Sequence, residues 1–431
     1  MKTEVYIALS ADILHRGHIN ILKRASKLGK VTVGLLTDKA ISEYKSLPIL
    51  NFQQRKIVVS SLKFIDRIVP QEKMSYVENL RKYKPKFVVH GDDWKKGILK
   101  KSRDEVLKVL KKWSGKLVEF PYTKEISSSS IKEKINSRIT SKPNRVSLLQ
   151  RLINAKSIVR VLETHSPLAG ILAESIKIRN RETINEYDAF WSSSLTESLI
   201  RCKPDNQSVS LETRVNGLTD LLSSTSKPIL FDADNGGNIE HLSYLIPSLE
   251  RQGVSAIVIE DKIGPKKNSL YQNQKGSKQD TIATFAKKIK AISKIRKSKD
   301  FLIISRIESL VLGKGVNDAL KRAIQYSKSG SDLILIHSKD KNPKEIYKFS
   351  KEFKKTSYFI PLVAIPSTYS KTFEKDLIKN NFSVVIYANQ MLRTSYLAMK
   401  KTAESILKNK RSYEAENNMT SIKDILEIKP D

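Results

Sequence analysis

The sequence predicts an α/β protein in two parts, a small doubly wound, Rossmann-like domain followed by a (β/α)8 TIM barrel. Three observations carry this. Strand and helix patterns alternate before about residue 136, eight short apolar runs recur at βα spacing after about residue 150, and a polar, proline-containing segment lies between. The expected boundaries are 1–138 for the first domain, 139–150 for a linker and 151–431 for the barrel.

The segment from Met1 to Leu9 reads as a first strand, because its apolar part is too short for a signal peptide. Val31 to Leu36 and Phe87 to His90 are further strands, alternating with helical stretches as a doubly wound sheet requires. Asn136 to Asn144 is polar and contains Pro143, as linkers usually do. The barrel strands are then Val159 to Glu163, Ala189 to Ser192, Pro228 to Asp232, Ala256 to Glu260, Phe301 to Arg306, Leu333 to His337, Ile360 to Ile365 and Val384 to Ala388. Lys-rich amphipathic segments separate them. Asp232 with Asp234, then Glu260, Arg306 and His337, each stop an apolar strand with a functional group. Parallel barrels place their chemistry at such strand ends, which are rigid while the following loops can close.

At 431 residues the chain can bury two or three separate cores, and its 39% hydrophobic and 7% aromatic content fit a globular protein. No apolar stretch approaches the length of a membrane span. The lone Cys202 excludes an internal disulfide framework and suits a reducing compartment, so a cytoplasmic location is expected. No Cys/His cluster has zinc spacing. The formal charge is +33, from 78 Lys and Arg against 45 Asp and Glu. The lysines are spread along the chain without a long basic block or an aromatic-interleaved stripe, so no nucleic-acid partner is expected. The charge reads as general lysine richness, and secondarily as attraction for phosphate-bearing substrates.

The most informative stretch is Ile259-Glu260-Asp261-Lys262-Ile263-Gly264-Pro265-Lys266-Lys267-Asn268-Ser269, in which an apolar strand delivers a carboxylate and a loop carrying Lys, Asn and Ser follows. One strand earlier, Asp232 and Asp234 stand at i and i+2, so both carboxylates face one side. With Glu260 they form an all-oxygen, hard-ligand set suited to Mg2+.

From about residue 155 onward the chain resembles phosphoenolpyruvate mutase of the isocitrate-lyase superfamily. The matching pieces are Trp191-Ser192-Ser193-Ser194-Leu195, Asp205, Asp232-Ala233-Asp234, the loop from Glu260 to Ser269, Arg306-Ile307-Glu308, His337-Ser338-Lys339 and Ala388-Asn389-Gln390-Met391-Leu392-Arg393. The resemblance implies migration of the phosphoryl group of phosphoenolpyruvate from oxygen to carbon 3, giving phosphonopyruvate. It implies Asp232 as the direct metal ligand, with Asp234 and Glu260 acting through water. Backbone amides around Ser193, Ser194 and Leu195, beside Trp191, would cradle the substrate carboxylate. Arg306, His337 and Asn268 would surround the phosphoryl group, Lys266 and Ser269 would belong to a gating loop, and Asp205 would support the site. Phosphonopyruvate hydrolase, a relative within the superfamily, lacks an asparagine at the position of Asn268, and the lyase branch expects a Lys-Cys-Gly-His loop absent here. Two departures stand out: Ser194 replaces a usual glycine, and the turn Asp234-Asn235-Gly236-Gly237-Asn238 is one residue shorter than usual. A phosphonopyruvate hydrolase fused to a degenerate nucleotidyltransferase is the alternative reading. The family also implies a homo-oligomer, with a tetramer exchanging carboxy-terminal helices expected.

Residues 1 to about 135 resemble the HxGH nucleotidyltransferases, particularly the glycerol-phosphate cytidylyltransferase type. The match is Leu14-His15-Arg16-Gly17-His18, Thr37-Asp38, Gln54-Arg55-Lys56, His90-Gly91-Asp92-Asp93-Trp94 and Ile126-Ser127-Ser128-Ser129-Ser130-Ile131. It implies CTP as co-substrate, His15 and His18 at the α-phosphate, and Ser10, Lys45, Arg55, Asp92, Ser127, Ser128 and Ser129 around the nucleotide. The usual Gly-Thr-Phe-Asp reads Leu9-Ser10-Ala11-Asp12, and the usual Arg-Thr-x-Gly-Ile-Ser reads Tyr122-Thr123-Lys124-Glu125-Ile126-Ser127. A phosphate-binding arginine is therefore missing, with Lys124 or Lys45 as the replacement. The expected partners are small molecules: phosphoenolpyruvate, CTP and a phosphonate.

Overall fold

The structure is a computed structural model and describes residues 3–95, 100–121, 142–179, 184–264, 266–271 and 273–428. These form two compact units, one of Met1–Ile139 with Asn154–Lys156 and Lys177–Asn185, the other of Thr140–Ile153, Ser157–Ile176 and Glu186–Asp431.

The amino-terminal unit is built on five parallel strands: β1 (Glu4–Leu9), β2 (Lys30–Leu36), β3 (Arg67–Gln71), β4 (Phe87–Gly91) and β5 (Lys116–Phe120), in the order β3-β2-β1-β4-β5. The order reverses direction between β1 and β4, so a crevice opens beyond their carboxyl ends. Apolar side chains leave both faces of the sheet. Tyr6, Ala8 and Val88 enter one core, and Val5, Ile7 and Val89 enter the other. That is the doubly wound arrangement expected. Helix α1 (Arg16–Ser26) follows β1 and begins within the HxGH motif, with His15 at its N-cap.

In the second unit eight parallel strands close into a barrel. In chain order they are Val159–Glu163, Ala189–Ser192, Ile229–Asp232, Ala256–Glu260, Leu302–Ile307, Leu333–Ile336, Leu362–Ala364 and Phe382–Tyr387. The eighth pairs with the first through Val384 and Val159, and the first with the second through Val161 and Ala189. Each strand falls within two residues of its expected span. Phe231, Ile257, Ile259 and Ile303 pack outward against helical Phe285, Ile289 and Ile292. Their alternating partners, Asp232, Glu260 and Arg306, are thereby left to the interior.

One expectation is corrected. The linker proposed over 139–150 is helical from Lys142, in a helix running Lys142–Ala155. Val146, Leu149, Leu152 and Ile153 are buried along it, and Val146 joins the core outside the barrel. Proline suggested a break, but in the first turn of a helix it removes no hydrogen bond. Among the described residues no helix is long and apolar enough to cross a membrane.

Candidate active sites

The residues expected at the barrel mouth do assemble there. Trp191, Ser193, Ser194, Leu195, Asp205, Asp232, Glu260, Lys266, Asn268, Ser269, Arg306 and His337 line one cavity, with Ala388 and Asn389 after the last strand. Asp234 lies immediately beneath, 4% exposed. The tight turn holding it is conformationally demanding: Asp234 has φ 55°, and Gly236 and Gly237 follow at φ 78° and 64°. Glycine meets that demand without a Cβ penalty, which is how the shortened turn closes.

Lys266 reaches down from the loop to the far wall. Its ammonium bonds Ser194 Oγ at 2.6 Å and Asp205 Oδ1 at 2.7 Å, and also meets Asp234 Oδ1. Burial alone would lower its pKa, but Asp234, Asp232, Glu260 and Asp205 raise it, so the lysine stays charged. Asn268, two residues on, donates to Asp205 Oδ2 at 2.6 Å. The Ser194 hydroxyl also donates to Asp232 Oδ2 at 2.8 Å, and its amide points to the same oxygen at 3.2 Å. That amide, expected to cradle a substrate carboxylate, is therefore engaged by Asp232 here.

Arg306 lies between two carboxylates, with Nε 2.6 Å from Glu308 and 3.4 Å from Glu260. The nearer one takes the benefit. Burial disfavours both charges, but Arg306 and Lys262 hold Glu308 down at about 2, while burial and the Glu308 charge leave Glu260 raised to about 7. Asp232, although buried, is lowered by Lys266, Arg214 and Arg306. His337 is lowered to about 3, by burial and then by Arg306, so it is neutral at physiological pH. Its Nδ1 is buried without a hydrogen-bond partner.

Among the described residues no three His, Cys, Asp or Glu side chains converge as a ready metal-binding group. The expected trio shares the mouth, but Asp234 turns to Lys266 and Arg214, and Glu260 turns to Arg306. The donor set nevertheless fits a divalent cation. It is all oxygen, it already draws an ammonium into its midst at Lys266, and it contains a carboxyl that burial and the neighbouring Glu308 charge push up to about 7.

Sequence reasoning passed over several members of this site. Arg214, 1% exposed, bonds Glu197 at 3.0 Å and Asp234 at 3.1 Å, supplying a charge beneath the mouth. Lys262 and Glu308 lie inside quoted motifs, and the i, i+2 rule applied from Glu260 and Arg306 would have found both. Arg214 carries no such signal, since it comes from a helix between strands.

In the amino-terminal unit, His15 and His18 stand with ring centroids 4.1 Å apart. His15 Nδ1 accepts from Gly17 N at 3.1 Å, and His18 Nδ1 from His15 N at 3.4 Å, so the motif caps its own helix. Burial lowers the pKa of His15; burial, then His15 and Lys45, lower that of His18 to about 4. Lys45 Nζ donates to Ser10 Oγ at 3.1 Å. Arg55 is wholly buried and bonds the carbonyls of Leu50 and Ser10 and the carboxylate of Asp38. It is placed as a tie within the unit rather than facing open space. Asp92 begins the short turn Asp92–Lys95 after β4, in which Trp94 stacks on His90 at 3.8 Å. Ser127, Ser128, Ser129 and Lys124 lie outside the described residues.

A closed parallel barrel whose mouth gathers carboxylates, arginine and a capping Lys-Asn-Ser loop defines a barrel enzyme of lyase or mutase type. The chain belongs to the phosphoenolpyruvate phosphomutase family, which matches residues 149–407, and carries a cytidylyltransferase-like domain over residues 10–134. It is 30% identical over 285 residues to a phosphonopyruvate hydrolase of Variovorax sp. (strain Pal2), covering 66% of this chain and 94% of that one. It is equally 30% identical over 290 residues to a phosphoenolpyruvate phosphomutase of Tetrahymena pyriformis, covering 67% and 92%. The crystal structure of a phosphoenolpyruvate phosphomutase from Streptomyces platensis subsp. rosaceus superposes with a TM-score of 0.61 at 28% identity, covering 66% of this chain and 94% of that one. A phosphonopyruvate hydrolase solved with oxalate and Mg2+ gives 0.59 at 29% identity over the same shares. The amino-terminal part is 34% identical over 84 residues to an ethanolamine-phosphate cytidylyltransferase of Mus musculus, covering 19% of this chain and 21% of that one.

Proposed function

We propose that the barrel isomerises phosphoenolpyruvate to 3-phosphonopyruvate in a Mg2+-dependent reaction of phosphonate biosynthesis. The observation that carries this is Asn268, an amide held at 2.6 Å on Asp205 in the cavity that Arg306 and His337 also line. The reaction breaks the phosphorus bond to the enol oxygen and makes one to carbon 3, with no atom gained or lost. A metaphosphate-like transition state needs positioning and charge more than covalent help. Arg306 and the Asn268 amide hold the phosphoryl oxygens. Neutral His337 offers its unpaired Nδ1, and the amides near Ser193 and Leu195 take the carboxylate. Asp232, Asp234 and Glu260 would hold Mg2+, whose charge would stabilise the substrate's carboxylate and phosphoryl oxygens. Lys266, on the covering loop, helps keep water from the phosphoryl group.

Hydrolysis of phosphonopyruvate is the second reading, favoured by the relative of that name at the same 30% identity. One experiment separates the two. Phosphonopyruvate with Mg2+ is followed by phosphorus NMR, where phosphoenolpyruvate supports the mutase, and inorganic phosphate with pyruvate supports the hydrolase. Asn268→Ala is expected to slow migration strongly and release a trace of pyruvate; a fully active variant removes Asn268 from the site.

For the amino-terminal unit we infer transfer of a cytidylyl group from CTP to a phosphonate or phosphate acceptor, supported by the paired histidines at the amino terminus of α1. Likeness to an ethanolamine-phosphate cytidylyltransferase favours an amine-bearing acceptor. Pyrophosphate release from CTP across a panel of phosphonates tests this. We also propose a cytoplasmic homo-oligomer, a tetramer by family resemblance.

A further inference from the structure

The loop over the barrel mouth is fastened at a second place, by a residue to which the reading above gives no role. Lys262 follows Glu260 by two residues and is 4% exposed. Its ammonium donates to the Lys267 carbonyl at 2.6 Å and to Ser269 Oγ at 2.8 Å, and lies 3.5 Å from Glu308 Oε2. An ammonium has three donors, and three acceptors meet it here. Ser269 Oγ is saturated as well. It accepts from Lys262 and from Arg306 Nη2 at 2.9 Å, and donates to Glu308 Oε2 at 2.5 Å. Asn268 is the residue between these two tied points, and its Oδ1 accepts from Leu270 N at 2.9 Å.

We propose that Lys262 is a positioning residue for Asn268. By holding the backbone at Lys267 and the hydroxyl at Ser269, it fixes the intervening amide over the reacting phosphoryl group and keeps the loop closed to water. Lys262 thereby sets how substrate divides between rearrangement and hydrolysis. This rests on the mutase reading. Replacing Lys262 with an apolar chain frees the Lys267 carbonyl yet leaves Arg306 to balance Glu308, so the loop loosens without stranding a buried charge.

The test uses Lys262→Met, with Lys262→Arg as the donor-retaining control, after thermal melts confirm folding. In substrate-free protein, hydrogen exchange of the amides of 266–271 is expected to quicken at least about tenfold in Lys262→Met. With phosphonopyruvate and Mg2+, the share of product appearing as pyruvate and phosphate should rise about tenfold, kcat should fall with KM changing little, and Lys262→Arg should restore part of the partition. An unchanged partition in a folded, active Lys262→Met overturns the proposal. If Lys262→Met fails to fold, Ser269→Ala serves in its place, because it removes the hydroxyl Lys262 holds; unchanged exchange and partition there overturn it too. If the unsubstituted protein yields only pyruvate and phosphate, the mutase reading fails and the partition role with it. The exchange comparison still upholds or overturns the tether.

Discussion

Asn268 Nδ2 and Lys266 Nζ grip opposite oxygens of one carboxylate, Asp205, at 2.6 and 2.7 Å. A single side chain after the second barrel strand thus receives two polar groups of the loop after the fourth. Asp205→Ala releases Asn268 Nδ2 and leaves Lys266 only Ser194 and Asp234. We expect turnover of phosphonopyruvate to fall on the order of a hundredfold, with tryptic cleavage at Lys266 and Lys267 becoming faster. Wild-type turnover with unchanged cleavage would show that Asp205 contributes nothing to holding the loop.

Asp232→Asn keeps the size of the side chain and its contact with Ser194 while removing the charge. Mg2+-dependent turnover is expected to drop by about a thousandfold with little change in melting temperature, since the residue sits at a strand end rather than in the apolar core. Titration of Mg2+ against turnover is the check. An Asp232→Asn enzyme that saturates at the same Mg2+ concentration would remove this carboxylate from the metal set.

Asp261 has a structural part and no direct one in the chemistry. It is wholly buried and accepts from Glu308 N at 3.0 Å, Arg322 Nη1 at 3.1 Å, Tyr326 Oη at 2.9 Å and Gln279 Nε2 at 2.9 Å. Asp261→Ala leaves Arg322 its second carboxylate, Asp318 at 2.8 Å, but takes the acceptor from the Glu308 amide, Tyr326 and Gln279, and should cost about 1–3 kcal/mol. Urea denaturation of the full chain measures it, and a loss under about 0.5 kcal/mol would mean that the donors Asp261 holds find other acceptors.

His18 titrates near 4, below its ordinary 6.5, because burial, His15 and Lys45 all oppose its charge. Between those values the unfolded chain binds the proton and the folded one does not. The contribution of His18 to the stability of the amino-terminal unit is therefore fully present above about pH 6.5 and is lost progressively as the pH falls toward 4. Imidazole NMR shifts should show the low midpoint, and CTP should raise it, since a triphosphate favours the charged ring. A midpoint that CTP leaves in place would argue against an anion site at His18. His18→Ala should abolish CTP-dependent pyrophosphate release and spare turnover by the barrel.

The helix Gln390–Asn409 buries no residue of its own and leaves Tyr396, Leu397, Met399 and Leu407 exposed. Apolar surface of that extent is usually covered by a partner, which in the proposed homo-oligomer would be a second copy of the chain. Light scattering is expected to show an oligomer, a tetramer in the form proposed above. A monomer at micromolar concentration contradicts this.

Local pattern was enough to read the architecture. Apolar runs of four to six residues at βα spacing marked every barrel strand, and their polar ends singled out Asp232, Glu260 and Arg306. Period-two alternation applied to quoted motifs would have found Lys262 and Glu308. The helix from Lys142 was misread because a proline weighs as a break until the apolar spacing of Val146, Leu149 and Ile153 is counted. Which residues end strands and which loop caps the barrel could be read before any fold was known, because both follow from spacing along the chain. Folding alone decided that Lys266 reaches Asp205 and Asp234, that Arg214 pairs with Asp234 beneath the mouth, and that Arg55 is spent inside its own unit. Barrel closure brings together groups far apart in sequence, and in a buried site each charge takes the nearest opposite charge, a matter of ångströms that no spacing records.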